Sequence, residues 1–215
     1  MSTFKIYPDT LIRLAKVVGF FEPNVSQEVK SQLQTVRLEN KNGKCLAIAT
    51  NVKIAVAEYI GPTTEPDSVC HVKLKDELMD YVRLLQGRNE MVVFTTIPEI
   101  GMSTAQVGTG GGFIGDVCYW FDSTPLNDWN SWFVEPPKQS SGIMCWDVFH
   151  VEALLQASPS GKVVFPEFIN ADRPVLLRDR YESQTWYGVF LPSDKLTPDL
   201  RHEVQNCYMP DWLKK

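Results

Sequence analysis

The sequence predicts an α+β fold made of repeated β-α-β-β-β units, with the helices on one face of antiparallel sheets. Strand-like alternation, one stretch of helical periodicity and further alternation follow one another three times along the 215 residues. An Asn-Gly pair separates two of the alternating runs, which is the strongest short signal for a β-hairpin. Such a unit cannot bury its sheet face alone, so the units are expected to pair.

The first unit begins with a strand at 3–8 and continues with a helix. Asp9 or Thr10 is predicted to cap that helix, because an oxygen side chain accepts hydrogen bonds from otherwise unpaired N–H groups. Two strands flank Asn42-Gly43. A Thr-Asn-Val-Lys step at 50–53 then separates the second of them from a third apolar run.

The second and third units repeat this order on either side of a Pro-Pro-Lys-Gln-Ser-Ser linker. The predicted elements of the second unit are a strand at 69–74, a helix at 75–87 and strands at 90–97, 102–108 and 113–121. Those of the third unit are a strand at 142–147, a helix at 148–158 and strands at 162–168, 173–180 and 184–192.

Composition and charge exclude several classes of protein. The chain is 44% hydrophobic and 22% charged, as in soluble globular proteins, and its net charge of −5 gives no overall attraction to nucleic acid. No apolar run reaches the ~18 residues of a membrane span, and we expect no signal peptide. Five cysteines, an odd number without a C-x-x-C pair, predict reduced thiols in a cytoplasmic protein.

No arrangement of residues predicts catalysis, a metal or a cofactor. Cys70 and His71 are neighbours in a predicted strand, so their side chains point to opposite faces and cannot easily share one metal. The other histidines, His150 and His202, form no ligand-spaced set with the cysteines. The sequence therefore predicts a protein that is not an enzyme.

The glycine-rich stretch "GGGFIG" at 110–115 has the G-x-G-x-x-G spacing of dinucleotide sites. Such a site needs a helix directly after the glycines, because the pyrophosphate lies on the helix N-terminus. The residues that follow predict a strand. We therefore interpret the stretch as a hairpin loop.

Aromatic residues cluster near the linker. They could stack on unpaired bases, but such residues more often fill a core or a subunit contact. The cluster comprises Trp120, Phe121, Trp129, Trp132, Phe133 and Trp146. A further hypothesis is that the tail after Pro192 folds back over the last strand.

Three stretches match a known pattern in the same order. They are "LAIATNVKIAVAEYI" (46–60), "STPLNDWNSWFVEP" (123–136) and "GIMCWD" through "FLP" (142–192). They resemble the strand–ATDGHRLAV–strand element, the FPNLDDW segment and the closing half of the last domain of the bacterial β sliding clamp, the ring-shaped processivity subunit of DNA polymerase III. The resemblance covers most of residues 3–193.

The resemblance implies a DNA-clamp-like fold, in which two units form one domain with helices on the inner wall of a ring and sheets outside. Residues 1–134 would make one complete domain. Residues 135–215 would make a partial domain of one unit with a C-terminal tail. A half-domain leaves a sheet edge and half of a face uncovered, so we expect it to pair with a twin or with another protein, and the protein to be a homo-oligomer.

The resemblance also implies a pocket for short peptide motifs of a DNA polymerase or clamp loader. The matching positions are Thr50, Asn51, Lys53, Ile54, Pro136, Val189, Leu191 and Pro192. An apolar floor with a few polar rim groups suits such a peptide. The alternative is that Ile54, Val189 and Leu191 are ordinary core residues. The family's DGHR is shortened here to Asn-Val-Lys, which removes the Gly and the Arg.

Basic residues on the helices are the candidates for contact with double-stranded DNA. They are Arg13, Lys16, Lys75, Arg83 and Arg88. On inner helices such side chains would touch phosphates without reading sequence, which allows sliding. The alternative is a solvated helix face, and the third helix has no Lys or Arg.

The sequence therefore predicts a sliding-clamp-like accessory protein of DNA replication or repair, which tethers a polymerase or another partner to DNA. It would be cytoplasmic and nucleoid-associated, with no membrane partner. The alternative is a clamp mimic or interaction module that binds clamp-binding motifs without encircling DNA. The small size and the reduced second domain would suit a phage or mobile element.

Overall fold

A computed structural model describes residues 2–18, 26–27, 33–51, 53–74, 76–97, 102–107, 112–114, 118–119, 129, 148–164, 175–179 and 185–190. The elements in this part of the chain are β1 (Ser2–Ile6), α1 (Pro8–Val18), β2 (Thr35–Lys41), β3 (Lys44–Thr50), β4 (Ile54–Pro62), β5 (Ser68–Lys73), α2 (Asp76–Leu84), β6 (Val92–Ile97), β7 (Met102–Val107), β8 (Gly112–Ile114), β9 (Cys118–Tyr119), α3 (Val148–Ala157), β10 (Val163–Val164), β11 (Val175–Asp179) and β12 (Trp186–Phe190).

The predicted α+β class is confirmed, since every strand pairing among the described residues is antiparallel and the helices alternate with groups of strands. The predicted hairpin is also present. Asn42 and Gly43 have φ values of 52° and 73°, and positive φ at both positions is what a two-residue hairpin turn of this hand requires. None of the helices in the described ranges combines the length and the apolar character that crossing a membrane demands.

One predicted strand, 113–121, is two short strands in different sheets. β8 pairs with β7, whereas β9 pairs with β5. The apolar run is continuous in sequence, and only long-range pairing divides it between the sheets. Because Gly112–Ile114 is itself a strand, the glycine-rich stretch enters a sheet there instead of opening a helix. The predicted strand at 142–147 lies outside the described residues.

The two sheets exchange their first strands. The four-stranded sheet has the order β1-β6-β7-β8, and the larger sheet has the order β10-β11-β12-β4-β3-β2-β5-β9. We call β1, α1 and β2–β4 the first unit, β5, α2 and β6–β8 the second unit, and α3 with β10–β12 the third unit. β1 of the first unit thus completes the sheet of the second, and β5 of the second completes that of the first.

The main core lies between the sheets and the helices. α1 buries an apolar stripe that includes Leu11, Leu14 and Val18, spaced as an amphipathic helix requires. Phe4 and Phe94, a directly opposed pair in β1 and β6, are fully buried in the same cluster. Burial of each such side chain contributes about 1.5–3 kcal/mol before the entropy of ordering is subtracted.

Side chains of the larger sheet and of the loop between β4 and β5 cover the second edge of β1. The Asn40 side chain donates to the Thr3 carbonyl (3.0 Å), and the Thr3 amide donates to the Glu65 carboxylate (3.2 Å). The Cys45 thiol lies 3.9 Å from the Lys5 carbonyl, and burial raises the pKa of this thiol. An edge strand that is covered in this way is not open to another chain.

The third unit is attached to the first by both sheet and helix. β12 pairs with β4 in a register that runs from Trp186 opposite Glu58 to Phe190 opposite Ile54, and α3 packs on α1. Gly188 allows the close approach, since a Cβ there would lie 2.8 Å from the Trp186 indole and 3.1 Å from Leu154. The third unit therefore shares the main core.

A buried carboxylate fixes the turn after α3. Asp179 on β11 is fully buried and accepts hydrogen bonds from the Ser158 hydroxyl, the Ser160 amide (2.9 Å) and the Ser160 hydroxyl (2.7 Å). Gly161 continues the turn with φ 65°, which glycine adopts without strain. These contacts tie the end of α3 to the sheet of its own unit.

The outer face of the larger sheet has its own buried network. Arg37 and Glu39 on β2 form an ion pair (3.1 Å), and Trp129 Nε1 donates to Glu39 at 2.9 Å. Trp129 also packs beside a small cluster formed by Ile48 and its neighbours. Trp129 thus has the packing role proposed for the aromatic cluster, whose other members lie outside the described side chains.

His71 on β5 predicts a pH dependence of stability. It is 2% exposed and lies opposite Arg37, and burial first and that positive charge second lower its pKa from 6.5 to about 4. Between pH 6.5 and 4 the unfolded chain therefore binds a proton that the folded chain does not, so stability falls as the pH falls. The expected loss at pH 4.5, relative to pH 7, is roughly 2–3 kcal/mol from this group.

Urea unfolding of the wild type and of His71→Gln at pH 7 and pH 4.5 tests this contribution. Other groups titrate equally in both proteins, so the difference between their pH-induced changes isolates His71. The variant should lose less stability on acidification. An equal loss in both proteins would contradict the prediction.

Candidate peptide-binding and DNA-facing sites

The corner between β3 and β4, residues 50–54, is held by side chains. Asn51 Oδ1 accepts hydrogen bonds from the amides of Lys53 (3.1 Å) and Ile54 (3.0 Å), which is the local turn chemistry of asparagine. The Thr50 hydroxyl donates to the Ile54 carbonyl at 2.7 Å. The step that interrupts the apolar run is therefore a fixed turn.

The start of α3 and the end of β12 meet this corner. Asn51 Nδ2 lies 3.5 Å from His150 Nδ1, and the His150 ring lies 6.5 Å from the Phe190 ring. Phe190 is opposite Ile54 in the sheet, and both side chains belong to the main core. The first and third units thus converge at the corner.

The other face of the sheet carries a small apolar cluster beside the corner. Ala55 on β4 and Val189 on β12 are opposite each other and buried, and Tyr187 packs against them. The Arg178 guanidinium lies 5.7 Å from the centre of the Tyr187 ring. We call Ala55, Tyr187 and Val189 the outer patch.

The structure brings the described members of the predicted peptide pocket together at the corner. Thr50, Asn51, Ile54 and Val189 are each at most 3% exposed, and Lys53 is half-buried. Ile54 and Val189 lie on opposite faces of the sheet, so they do not share one apolar floor. Pro136, Leu191 and Pro192 lie outside the described residues.

Arg13, the first predicted DNA contact, forms an ion pair within the fold. Its guanidinium lies 2.6 Å from the Glu58 carboxylate, and the two side chains are 20% and 9% exposed. Thr10 links the same groups, since it donates to Glu58 (3.1 Å) and accepts from Arg13 (3.0 Å). The carboxylate of Glu58 thus largely neutralises the positive charge of Arg13.

The other predicted DNA contacts differ in their surroundings. Lys16 and Arg88 are exposed, on the last turn of α1 and just after α2. Arg83 forms an exposed ion pair with Asp80 at 2.7 Å. Lys75 lies outside the described residues.

A polar cleft of about 510 Å³ lies near the end of β4 away from the corner. Arg13, Glu58 and Arg88 line it, together with Asp9 and Thr185. The two cationic and two acidic side chains carry equal and opposite charge, so the cleft has no net electrostatic potential that would favour a cation or an anion.

Sequence reasoning missed Glu58, His150 and Phe190. Glu58 had a signal, because the alternation of Ile54 and Val56 predicts an inward side chain at position 58, where a carboxylate needs a partner. No pattern in the sequence pointed to His150 or Phe190, since their contacts join segments far apart in the chain.

Within the described part of the chain, no three histidine, cysteine or acidic side chains form a group that could hold a metal ion. Cys70 lies in the main core, whereas His71 lies on the outer face opposite Arg37.

The fold is shared with bacterial sliding clamps of known structure. DNA polymerase III subunit beta from Borrelia burgdorferi has a TM-score of 0.65 at 11% identity, over 90% of this chain and 64% of that one. The DNA polymerase sliding clamp from Pseudomonas aeruginosa has a TM-score of 0.55 at 12% identity, over 94% and 67%. The beta subunit from Thermotoga maritima gives 0.51 at 12% identity, over the same shares.

The chain has the fold of the bacterial β sliding clamp. It spans about two thirds of the length of these clamps. No protein-family model and no curated protein matches the sequence. In this structure the corner and the outer patch lie where the first and third units meet.

Proposed function

We propose that the protein is a non-enzymatic, sliding-clamp-like accessory factor of DNA replication or repair, which holds a polymerase or another partner near double-stranded DNA. The observation that carries this proposal is the clamp fold, shared over 90% or more of the chain with DNA polymerase III beta subunits. In this proposal residues 1–134 form a complete domain and residues 135–215 a partial one. The protein acts in the cytoplasm on the nucleoid.

The DNA-facing surface of this proposal is reduced. Lys16 and Arg88 supply exposed positive charge, while Arg13 and Arg83 are engaged with acidic side chains. Sequence-independent contact through a few phosphates gives weak and salt-sensitive binding. Retention on DNA would then depend more on enclosure of the duplex than on affinity.

The peptide site of this proposal is the corner with the outer patch. Lys53 is a rim cation, and the half-buried Tyr187 provides the apolar surface, with the buried Ala55 and Val189 packed against it. The shortened turn, which Asn51 holds closed, favours a partner motif different from that of longer clamps. Polymerase-type and clamp-loader-type peptides are the first ligands to test.

Retention on circular DNA tests the tethering role. We expect the protein to stay on nicked circular plasmid during gel filtration after loading, and to leave when a restriction enzyme linearises the plasmid. Lys16→Glu should lower equilibrium binding at low salt several-fold, because it replaces a phosphate-facing cation by an anion. Lys44→Glu is the matched control, since Lys44 is exposed on the β2–β3 hairpin of the larger sheet.

A clamp mimic is the second candidate, favoured by the Arg13–Glu58 pair and by an α3 without Lys or Arg. Binding of a fluorescent polymerase-type peptide without retention on circular DNA would support the mimic. Failure of both measurements would contradict both functions.

A further inference from the structure

We propose that a cleft between β1 and the β4–β5 loop binds a small, uncharged ring compound that carries an N–H or O–H donor. The cleft has a volume of about 400 Å³, which lies in the range of small-molecule sites. It lies beside the polar cleft of Arg13 and Glu58, with which it shares Tyr7 and Ile60. Because it is at the end of β4 away from the corner, it is separate from the proposed peptide site.

The floor of the cleft belongs to one row of opposed residues in the larger sheet. Asn40 on β2 is opposite Cys45 on β3. Cys45 is in turn opposite Gly61 on β4. Opposed residues share one face of a sheet, and this face is turned toward β1, since Asn40 and Cys45 contact carbonyls of that strand. The row therefore ends at a position without a side chain.

Gly61 leaves space at that end of the row. A Cβ added there would have no atom within 4 Å other than those of its chain neighbours. Gly61 is not one of the glycines with positive φ, so its backbone does not require a glycine. A β-bulge lies directly before it, at Ile60, which has no opposite residue on β3. Bulges are frequent beside functional sites, where they redirect side chains.

The cleft also contains a buried hydrogen-bond acceptor without a donor. Asn40 is 1% exposed and lines the cleft. Its side-chain nitrogen donates to the Thr3 carbonyl (3.0 Å) and to the Ser68 hydroxyl (3.4 Å), but its side-chain oxygen finds no donor in the described part of the chain. A buried polar atom without a partner costs free energy, which an entering N–H or O–H group would recover. Asn40 therefore sets the requirement for a donor on the ligand.

The walls of the cleft suit a ring. Ile60, Pro62 and Met91 supply apolar surface. Tyr7, which is 42% exposed, adds an aromatic side chain. Thioethers and aromatic rings both make favourable contacts with an aromatic ligand.

The charges around the cleft favour an uncharged ligand. Lys5 and Glu65 contribute one charge of each sign, and the Glu65 carboxylate already accepts a hydrogen bond from the Thr3 amide (3.2 Å). Burial raises the pKa of the Cys45 thiol, so the thiol stays protonated and adds no charge. An ionic ligand would lose hydration there without meeting a net counter-charge.

An NMR titration of the full chain with indole and with benzamide tests the site. Both probes combine an aromatic ring with an N–H donor. We expect saturable shifts of the backbone amides of Gly61, Thr63 and Glu65, with dissociation constants in the micromolar to low millimolar range that small ligands reach. N-methylindole has the same rings without the N–H, so it should bind several-fold more weakly than indole.

The variant Gly61→Val fills the cleft. It should weaken binding of both probes about tenfold or more, because its side chain occupies the space that the ligand needs. Its melting temperature should stay the same or rise, since valine suits a strand and glycine has the more flexible unfolded chain. Lys44→Val is the matched control, because it adds the same side chain at an exposed position of β3 next to Cys45. This control should bind both probes as the wild type does.

Two results would overturn the proposal. One is that neither probe gives saturable shifts of the cleft amides at millimolar concentration. The other is equal binding by the wild type and Gly61→Val. Equal binding of indole and N-methylindole would overturn the role of Asn40 as the acceptor. None of these results bears on retention on DNA or on peptide binding at the corner, so failure of this site is separable from failure of the proposed function.

Discussion

Replacing Glu58 by Leu should lower the free energy of unfolding by about 3 kcal/mol, although an apolar side chain usually suits an inward position of a strand. The Glu58 carboxylate lies 2.6 Å from the Arg13 guanidinium and accepts a hydrogen bond from Thr10. Its removal leaves a largely buried cation without a counter-charge. Most of the expected loss of stability comes from leaving the Arg13 charge buried without a partner, and less comes from the lost ion-pair contact itself.

A double-mutant cycle separates these two contributions. Arg13→Met in the Glu58→Leu background should recover most of the lost stability, because both charges are then absent. The exposed pair of Arg83 and Asp80 is the control, with nearly the same distance of 2.7 Å but side chains that are 60% and 73% exposed. Its coupling should be at most about 0.5 kcal/mol. Equal coupling energies in urea unfolding would contradict the role of burial.

The same variants decide whether Arg13 contributes to the proposed DNA-facing surface. If the ion pair makes Arg13 structural, the double variant that combines Arg13→Met with Glu58→Leu keeps its affinity for DNA while Lys16→Glu loses it. If the double variant regains its stability but loses DNA binding, Arg13 contacts DNA phosphates. Salt dependence measured for both proteins adds an independent count of phosphate contacts.

The local features of this fold follow from the sequence because neighbouring residues determine them. Asn42-Gly43 specifies its turn through positive φ, and Leu11, Leu14 and Val18 specify one face of α1. Even the Asn51 corner is visible as a break in the apolar run, since asparagine bonds to backbone amides two and three residues ahead.

The pairing of distant segments did not follow from the sequence. The opposition of Phe4 to Phe94 and of Val189 to Ala55 depends on register between strands far apart in the chain. A change of register by one residue moves a side chain to the other face of the sheet, and the assignment of Ile54 and Val189 to one pocket floor could not take this into account. The resemblance supplied the order of units but not this geometry.

Trp186→Ala should destabilise the protein by about 3–5 kcal/mol, the cost of removing a large aromatic side chain from a packed core. Trp186 is fully buried in the main core, opposite Glu58, and its indole covers Gly188 beside Leu154 of α3. Its removal loosens both attachments of the third unit, so the affinity of the proposed peptide site should fall as well.

Two variants keep that result interpretable. Trp186→Phe should cost only about 1–2 kcal/mol, because the indole N–H makes no hydrogen bond to another described residue and most of the ring volume is kept. Gly188→Ala should cost a similar amount by overpacking, since its Cβ would meet the unchanged indole at 2.8 Å. In the Trp186→Ala background the Gly188→Ala change should cost much less, because the indole is gone. Additive costs in urea unfolding would mean that the indole and Gly188 act independently, and that the third unit is held by the β4–β12 ladder alone.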